Sequence, residues 1–224
     1  MTETVREIYN CSKSVDFELV VVSPFCVRGP NIKWIKEESP RGASAAQVAA
    51  YEASSGDVIV AMSDDVAPTP GWLDGLEREI AEKESRYFPY AGGVHWCTAQ
   101  SLGAVYGFYY PYFPAISRKS LEAIGGYFSC EYYYAFCDTD LGLRIWDHGG
   151  RCEPMPHRMI YRTRAEVEER HSIHKTTKFE HDAKVFMDKW HERLKHRLPN
   201  PDAHINVHLG LSHLPEFVES RERA

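Results

Sequence analysis

The sequence predicts an α/β domain, and three segments in series carry that prediction. Phe17–Ser23 is a short β-branched run entered from polar residues and ended by Pro24, the pattern of a buried strand. Ser44–Ala53 is Ala-rich and free of internal breakers, as in a helix packed closely on a sheet, and Gly56 follows it as a terminator. Asp57–Met62 then reads as a second, fully buried strand that ends at Ser63-Asp64-Asp65. Strand, helix and strand in this order imply a parallel sheet with helices on its faces.

The remaining elements follow in order. Glu3–Cys11 reads as a helix, and Ile32–Ile35 as a strand closed by Ser39-Pro40-Arg41-Gly42. Pro68 and Pro70 break the chain before a helix over Trp72–Lys83, where Trp72, Leu73, Leu76 and Ile80 recur at helical spacing. Tyr87–Trp96 and Ala104–Phe113 read as extended, the latter as a loop between strands. Arg118–Ile124 is a short helix stopped by Gly125-Gly126, and Cys137–Asp147 a longer one stopped by Gly149-Gly150. Met159–Tyr161 reads as a last strand. An amphipathic helix is predicted from Lys175 to about Leu198, with Phe179, Val185, Phe186 and Trp190 inward. One domain over residues 1–198 and a tail over 199–224 are expected.

Composition narrows the function. Hydrophobic residues at 43% and charged residues at 26% are those of a folded domain with a core. A formal net charge of −6 argues against nucleic acid as the partner, because phosphate backbones attract surfaces rich in Lys and Arg. No apolar run approaches the roughly 20 residues that span a bilayer, and no signal peptide is visible. The six cysteines form no CxxC pair and suit reduced thiols, so a cytoplasmic location is expected. Oligomeric state is left open.

Two constellations carry chemistry. Asp64 and Asp65 lie at the carboxyl end of a predicted strand, where open α/β sheets bind ligands. Carboxylate oxygens suit a hard cation such as Mg2+ or Mn2+, which bridges them to phosphates. The alternative is an Asp-Asp turn cap before Pro68. In the second, Asp138 falls in the first turn of the Cys137–Asp147 helix, where the dipole favours a carboxylate and a side chain can project into a cleft. There it can serve as a general base, or simply as an N-cap. Asp140 and Arg144, four residues apart on the same helix, can pair.

In combination these segments resemble the family-2 glycosyltransferases. Ala53–Leu73 is similar to the family's metal-site segment. Phe113–Tyr127, with Gly125-Gly126, followed by Cys137–Arg144 and Gly149-Gly150, is similar to its acceptor-side segment. The resemblance covers roughly residues 16 to 160. It implies a single Rossmann-like GT-A domain with a mixed, mostly parallel sheet flanked by helices. It further implies a nucleotide-diphospho-sugar donor, a UDP-sugar first among the candidates, and a divalent Mn2+ or Mg2+ held by an Asp-x-Asp motif whose last residue matches Asp65. Asp64 would stand beside the ribose or diphosphate. Asp138 would be the base in an inverting, direct displacement by an acceptor the sequence does not name.

The sequence departs from the family pattern at several places. Ser63 replaces the first Asp of the metal motif, Cys137 stands where Glu is frequent, and Ser23-Pro24 stand where an Asp often contacts the base. The usual first strand is expected to be missing, the chain opening at the helix Glu3–Cys11. The family's metal-binding His position is matched by Arg162, which stays protonated and cannot ligate a metal. His171 and His174 are therefore the candidate metal ligands, while Arg41 and Arg162, with Arg164 and Arg170, are candidate diphosphate contacts. Two other readings stand beside transfer: a catalytically inactive glycosyltransferase-like domain that binds a nucleotide or a partner protein, and a metal-dependent nuclease or phosphatase using Asp64, Asp65, Asp138 and Asp140.

Overall fold

A computed structural model describes residues 2–12, 16–64, 66–87, 96–154, 160–162 and 175–197. Helix α1 (Thr2–Cys11) leads into β1 (Leu19–Ser23) and β2 (Ile32–Lys36), which pair in parallel with Leu19 opposite Ile32. Helix α2 (Ala43–Ala53) packs on β1. Then come β3 (Val58–Val60), β4 (Val66–Pro68), α3 (Trp72–Tyr87), β5 (Trp96–Val105), β6 (Phe108–Ser117), α4 (Arg118–Ala123), α5 (Cys137–Asp147), β7 (Arg151–Pro154) and β8 (Ile160–Arg162). The last helix, α6 (Lys175–Leu194), ends in a 3-10 turn over Lys195–Arg197. No helix among the described residues is long and apolar enough to cross a membrane.

The α/β fold class holds, but the sheet is less parallel than expected. In the four-stranded sheet, ordered β3-β6-β5-β7, β6 runs antiparallel to both its neighbours, and only β5 and β7 are parallel. Strand β4 pairs antiparallel with β8. The cause is local. Tyr106 and Gly107, with φ of 50° and 79°, form a tight two-residue turn that folds β5 back along β6. The segment Ala104–Phe113, expected to be extended and a loop between strands, is therefore the tip of a hairpin and the first part of its returning strand β6. Strands β1 and β3 are half-buried rather than buried. Strand β3 lies at one end of its sheet, which accounts for its exposure.

Strand β6 organises the core. Ala115 packs with Val66, Trp72, Leu76 and Ile80, and Ile116 with Leu121, Leu141 and Ile145. Tyr110 joins a third cluster with Phe136, Phe186 and Trp190, which seats α6 against α5. Helix α5 lies very close to β6 because it carries glycine at the crossing: a Cβ on Gly142 would stand 2.7 Å from the Tyr110 Cα. The Trp146 indole N–H donates to the Tyr109 carbonyl at 2.9 Å and fixes the same contact.

Candidate active site

Asp138 sits in the first turn of α5, which Phe136 caps from the left-handed region (φ 62°, ψ −3°). Phe136 makes no side-chain cap bond, so Asp138 is an early-turn carboxylate rather than the N-cap. Its Oδ1 accepts the Thr139 backbone N–H at 2.8 Å. The side chain lines an open cleft of about 110 Å3 with Tyr110, Tyr112, Ala135, Phe136, Thr139 and Phe179. Burial among these rings, opposed only by bonds from Thr139 and its own backbone, pushes the carboxyl up to about 6. A second residue of positive φ, Phe113 (φ 52°), follows the cleft residue Tyr112 on β6. For side chains this bulky such backbone costs roughly 1–3 kcal/mol each, and Phe136 carries that strain at the cleft itself.

The other acidic segment is tied to the same strand. Strand β3 pairs with β6 in the register Val60↔Ala115, and Ala61 N–H donates to the Pro114 carbonyl at 2.9 Å, two residues along β6 from Tyr112. The turn that follows is closed by a bond from Val66 N–H to the Ser63 carbonyl at 3.4 Å. The Asp64 carbonyl accepts the Thr4 hydroxyl of α1 at 2.7 Å, which leaves the Asp64 side chain exposed. Pairing of β4 with β8 sets Arg162 opposite Val66, directly after this turn. Strand β6 thus links the Asp138 cleft and the 63–64 turn, and β8 brings residue 162 to the same turn.

A match to the family model described as glycosyl transferase family 2 spans residues 12–92, a little over a third of the chain, and includes this acidic turn. Among solved structures, 35 chains match. One is the crystal structure of GalNAc-T7 with UDP, GalNAc and Mn2+, with a TM-score of 0.63 at 13% identity. That match covers 98% of this chain and 50% of the other, so the chain spans about half the length of that structure. Residues 12–92 are thus similar to glycosyl transferase family 2, and the chain as a whole has a GT-A-like fold. A comparison with curated proteins finds no match.

Placed on this fold, the candidate residues divide. Asp138 lies in a cleft, Asp64 on the acidic turn and Arg162 beside that turn in register. Arg41 is exposed ahead of α2, next to Gly42, whose backbone approaches loop 129–133 so closely that a Cβ would stand 2.2 Å from the Tyr133 carbonyl oxygen. Asp65, His171 and His174 lie outside the described residues, as do Arg164, Arg170 and the tail over 199–224. Among the described residues no three His, Cys, Asp or Glu side chains gather to hold an ion.

Asp140 is no part of a metal cluster. Its carboxylate is fully buried and closed by Arg144 Nε at 2.9 Å, Lys189 Nζ at 2.7 Å and the Trp190 indole N–H at 2.8 Å. That removes one carboxylate from the nuclease reading and bears out the predicted Asp140–Arg144 pair. Sequence reasoning missed Asp182, which is also fully buried. The available signal was its place on the inward stripe of α6, between Phe179 and Phe186 at helical spacing.

The raised pKa of Asp138 fixes a pH dependence. If Asp138 serves as the general base, it works as its carboxylate, so lowering the pH through 6 would protonate it and remove activity. The acid limb of kcat/KM is expected at an apparent pKa of about 6, above the ordinary carboxylate range, and falling tenfold per pH unit beneath it. Initial rates from pH 4 to 9 measure it. A limb near pH 4 would separate Asp138 from the rate.

Proposed function

We propose that this chain is a glycosyltransferase that moves a sugar from a nucleotide-diphosphate donor to an acceptor hydroxyl with inversion. The observation that carries the reading is Asp138: a carboxylate of raised pKa in an open cleft, tethered through β6 to the acidic turn at 63–64. In the reaction the acceptor oxygen attacks the anomeric carbon while Asp138 takes its proton. The bond from that carbon to the diphosphate oxygen breaks, and the nucleotide diphosphate leaves with the electron pair. Arg162, beside the turn, is the candidate partner for diphosphate oxygens.

Asp65 and Asp64 offer the hard oxygen donors that a divalent ion requires, with His171 and His174 as further candidates. Such an ion, when bound, neutralises negative charge on the diphosphate. A UDP-sugar is the preferred donor, supported by the UDP, GalNAc and Mn2+ named for the GalNAc-T7 structure. The proposed cytoplasmic residence is supported by the six cysteines, none of which is in a disulfide.

A thermal-shift panel of UDP-, GDP- and TDP-sugars with and without MnCl2 tests the reading. One nucleotide series should raise the melting temperature only with the ion, and Asp65→Ala should lower that affinity by at least about tenfold, the loss expected when one ligand of a metal site is removed. Binding that is indifferent to EDTA and to Asp65→Ala would overturn the metal assignment. Ser63 in the first position of the acidic motif favours a second reading, nucleotide binding without turnover. Ion-dependent UDP binding with no nucleotide release from any sugar donor would select it.

A further inference from the structure

Helix α6 holds a fully buried carboxylate that the proposed reaction does not use. Asp182 Oδ1 accepts the backbone N–H of Tyr133 at 2.9 Å, and Oδ2 accepts those of Tyr134 at 3.0 Å and Ala135 at 2.9 Å. Three successive amides thus converge on one anion, a concave arrangement suited to negative charge. The next residue is Phe136, in its left-handed conformation, and Asp138 follows two positions later. The loop is gripped from the other side as well: the Tyr133 carbonyl accepts Ser44 N–H at 3.0 Å, and the Ser44 hydroxyl donates to the Ser129 carbonyl at 2.8 Å.

We infer that Asp182 is the positioning residue for Asp138, fixing from the C-terminal helix the loop that aims the base into its cleft. The inference rests on the reading of Asp138 as general base. Both carboxylate oxygens of Asp182 are engaged by backbone amides, so it acts through the loop and not on substrate. A bulky residue keeps a left-handed backbone only where its neighbours over-determine it, and three fixed amides immediately upstream do that. The same helix supplies Phe179 and Phe186, whose rings pack 5.4 Å and 5.2 Å from that of Phe136. Displacing a catalytic group by about 1 Å costs on the order of 100-fold in rate, so a buckle of this kind is read out in kcat.

The test compares Asp182→Asn, Asp182→Glu and Asp138→Asn with the parent chain. Nucleotide release is measured from the sugar donor that gives the largest ion-dependent shift in the panel above, and UDP affinity by calorimetry with MnCl2. Asp182→Asn should lower kcat by about 100-fold, and Asp182→Glu, which keeps the charge but shifts the loop, by about tenfold, with UDP affinity within about twofold in both. Should the Asn variant fail to fold, the Glu variant carries the test. A folded Asp182 variant with parental kcat, or one whose UDP affinity falls in step with its turnover, overturns the inference. If Asp138→Asn itself turns over like the parent, the general-base reading fails. If it is inactive while the Asp182 variants are active, only the positioning role fails.

Discussion

Asp138→Asn is expected to slow turnover by about a thousand-fold while leaving UDP affinity within about twofold, since general-base catalysis contributes roughly 10²–10⁴ in rate. Asparagine keeps the shape of the side chain and its place in the first turn of α5 but cannot accept a proton. The same change has a second readout of opposite sign. Burial among Tyr110, Tyr112 and Phe136 raises the pKa of the folded carboxyl to about 6, above its unfolded value. Ionisation therefore costs the fold stability at pH above 6, and this cost disappears below the ordinary carboxylate pKa of about 4. The neutral amide escapes that cost, so Asp138→Asn should melt above the parent at pH 7 and not at pH 4. A variant that is slower and more stable at neutral pH marks a residue kept for chemistry. Parental turnover, or a lower melting temperature at pH 7, would contradict the assignment.

Asp140→Ala carries the largest expected loss of stability, about 3–5 kcal/mol by urea denaturation, because removing one partner of a buried ion pair leaves the other charges uncompensated. The carboxylate is wholly buried, and it takes Arg144 on one oxygen and Lys189 and the Trp190 indole on the other. Arg144 also donates to the Gly126 carbonyl at 2.8 Å and to the Tyr127 carbonyl, so the pair clamps the Gly-Gly turn onto α5. Lys189 and Trp190 belong to α6, and losing Asp140 therefore loosens two contacts at once. A loss under about 1 kcal/mol, the scale of an exposed pair, would show that the network is not needed for the fold.

Much of this architecture is legible in the sequence where composition and terminators agree. Helix α5 is bounded by the predicted residues Cys137 and Asp147, because apolar spacing fills it and Gly149-Gly150 ends it. Helix α2 is read almost as well from its alanines. The hairpin of β5 and β6 was not readable in the same way, since its turn depends on Tyr106 accepting a left-handed backbone that its side chain disfavours. Strand β7, Arg151-Cys-Glu-Pro154, has no apolar run and exists through its parallel pairing with β5.

The site divides along similar lines. Asp138 is singled out by its first-turn position together with the family resemblance, and Asp140 by its spacing to Arg144. Asp182 is passed over: its place on the inward stripe of α6 marks it as buried, but only the fold reveals what it meets. Its partners are backbone amides, which no side-chain pattern encodes.

The most direct test of the central claim, that the acidic turn and Asp138 serve one nucleotide-sugar site, is a crystal structure of the chain grown with UDP and MnCl2. The account predicts the diphosphate and the ion at the turn over residues 63–65, with the Asp138 carboxylate opening into the same cleft. Asp65 and Asp138 facing opposite sides of the molecule, or UDP bound away from both, would contradict it.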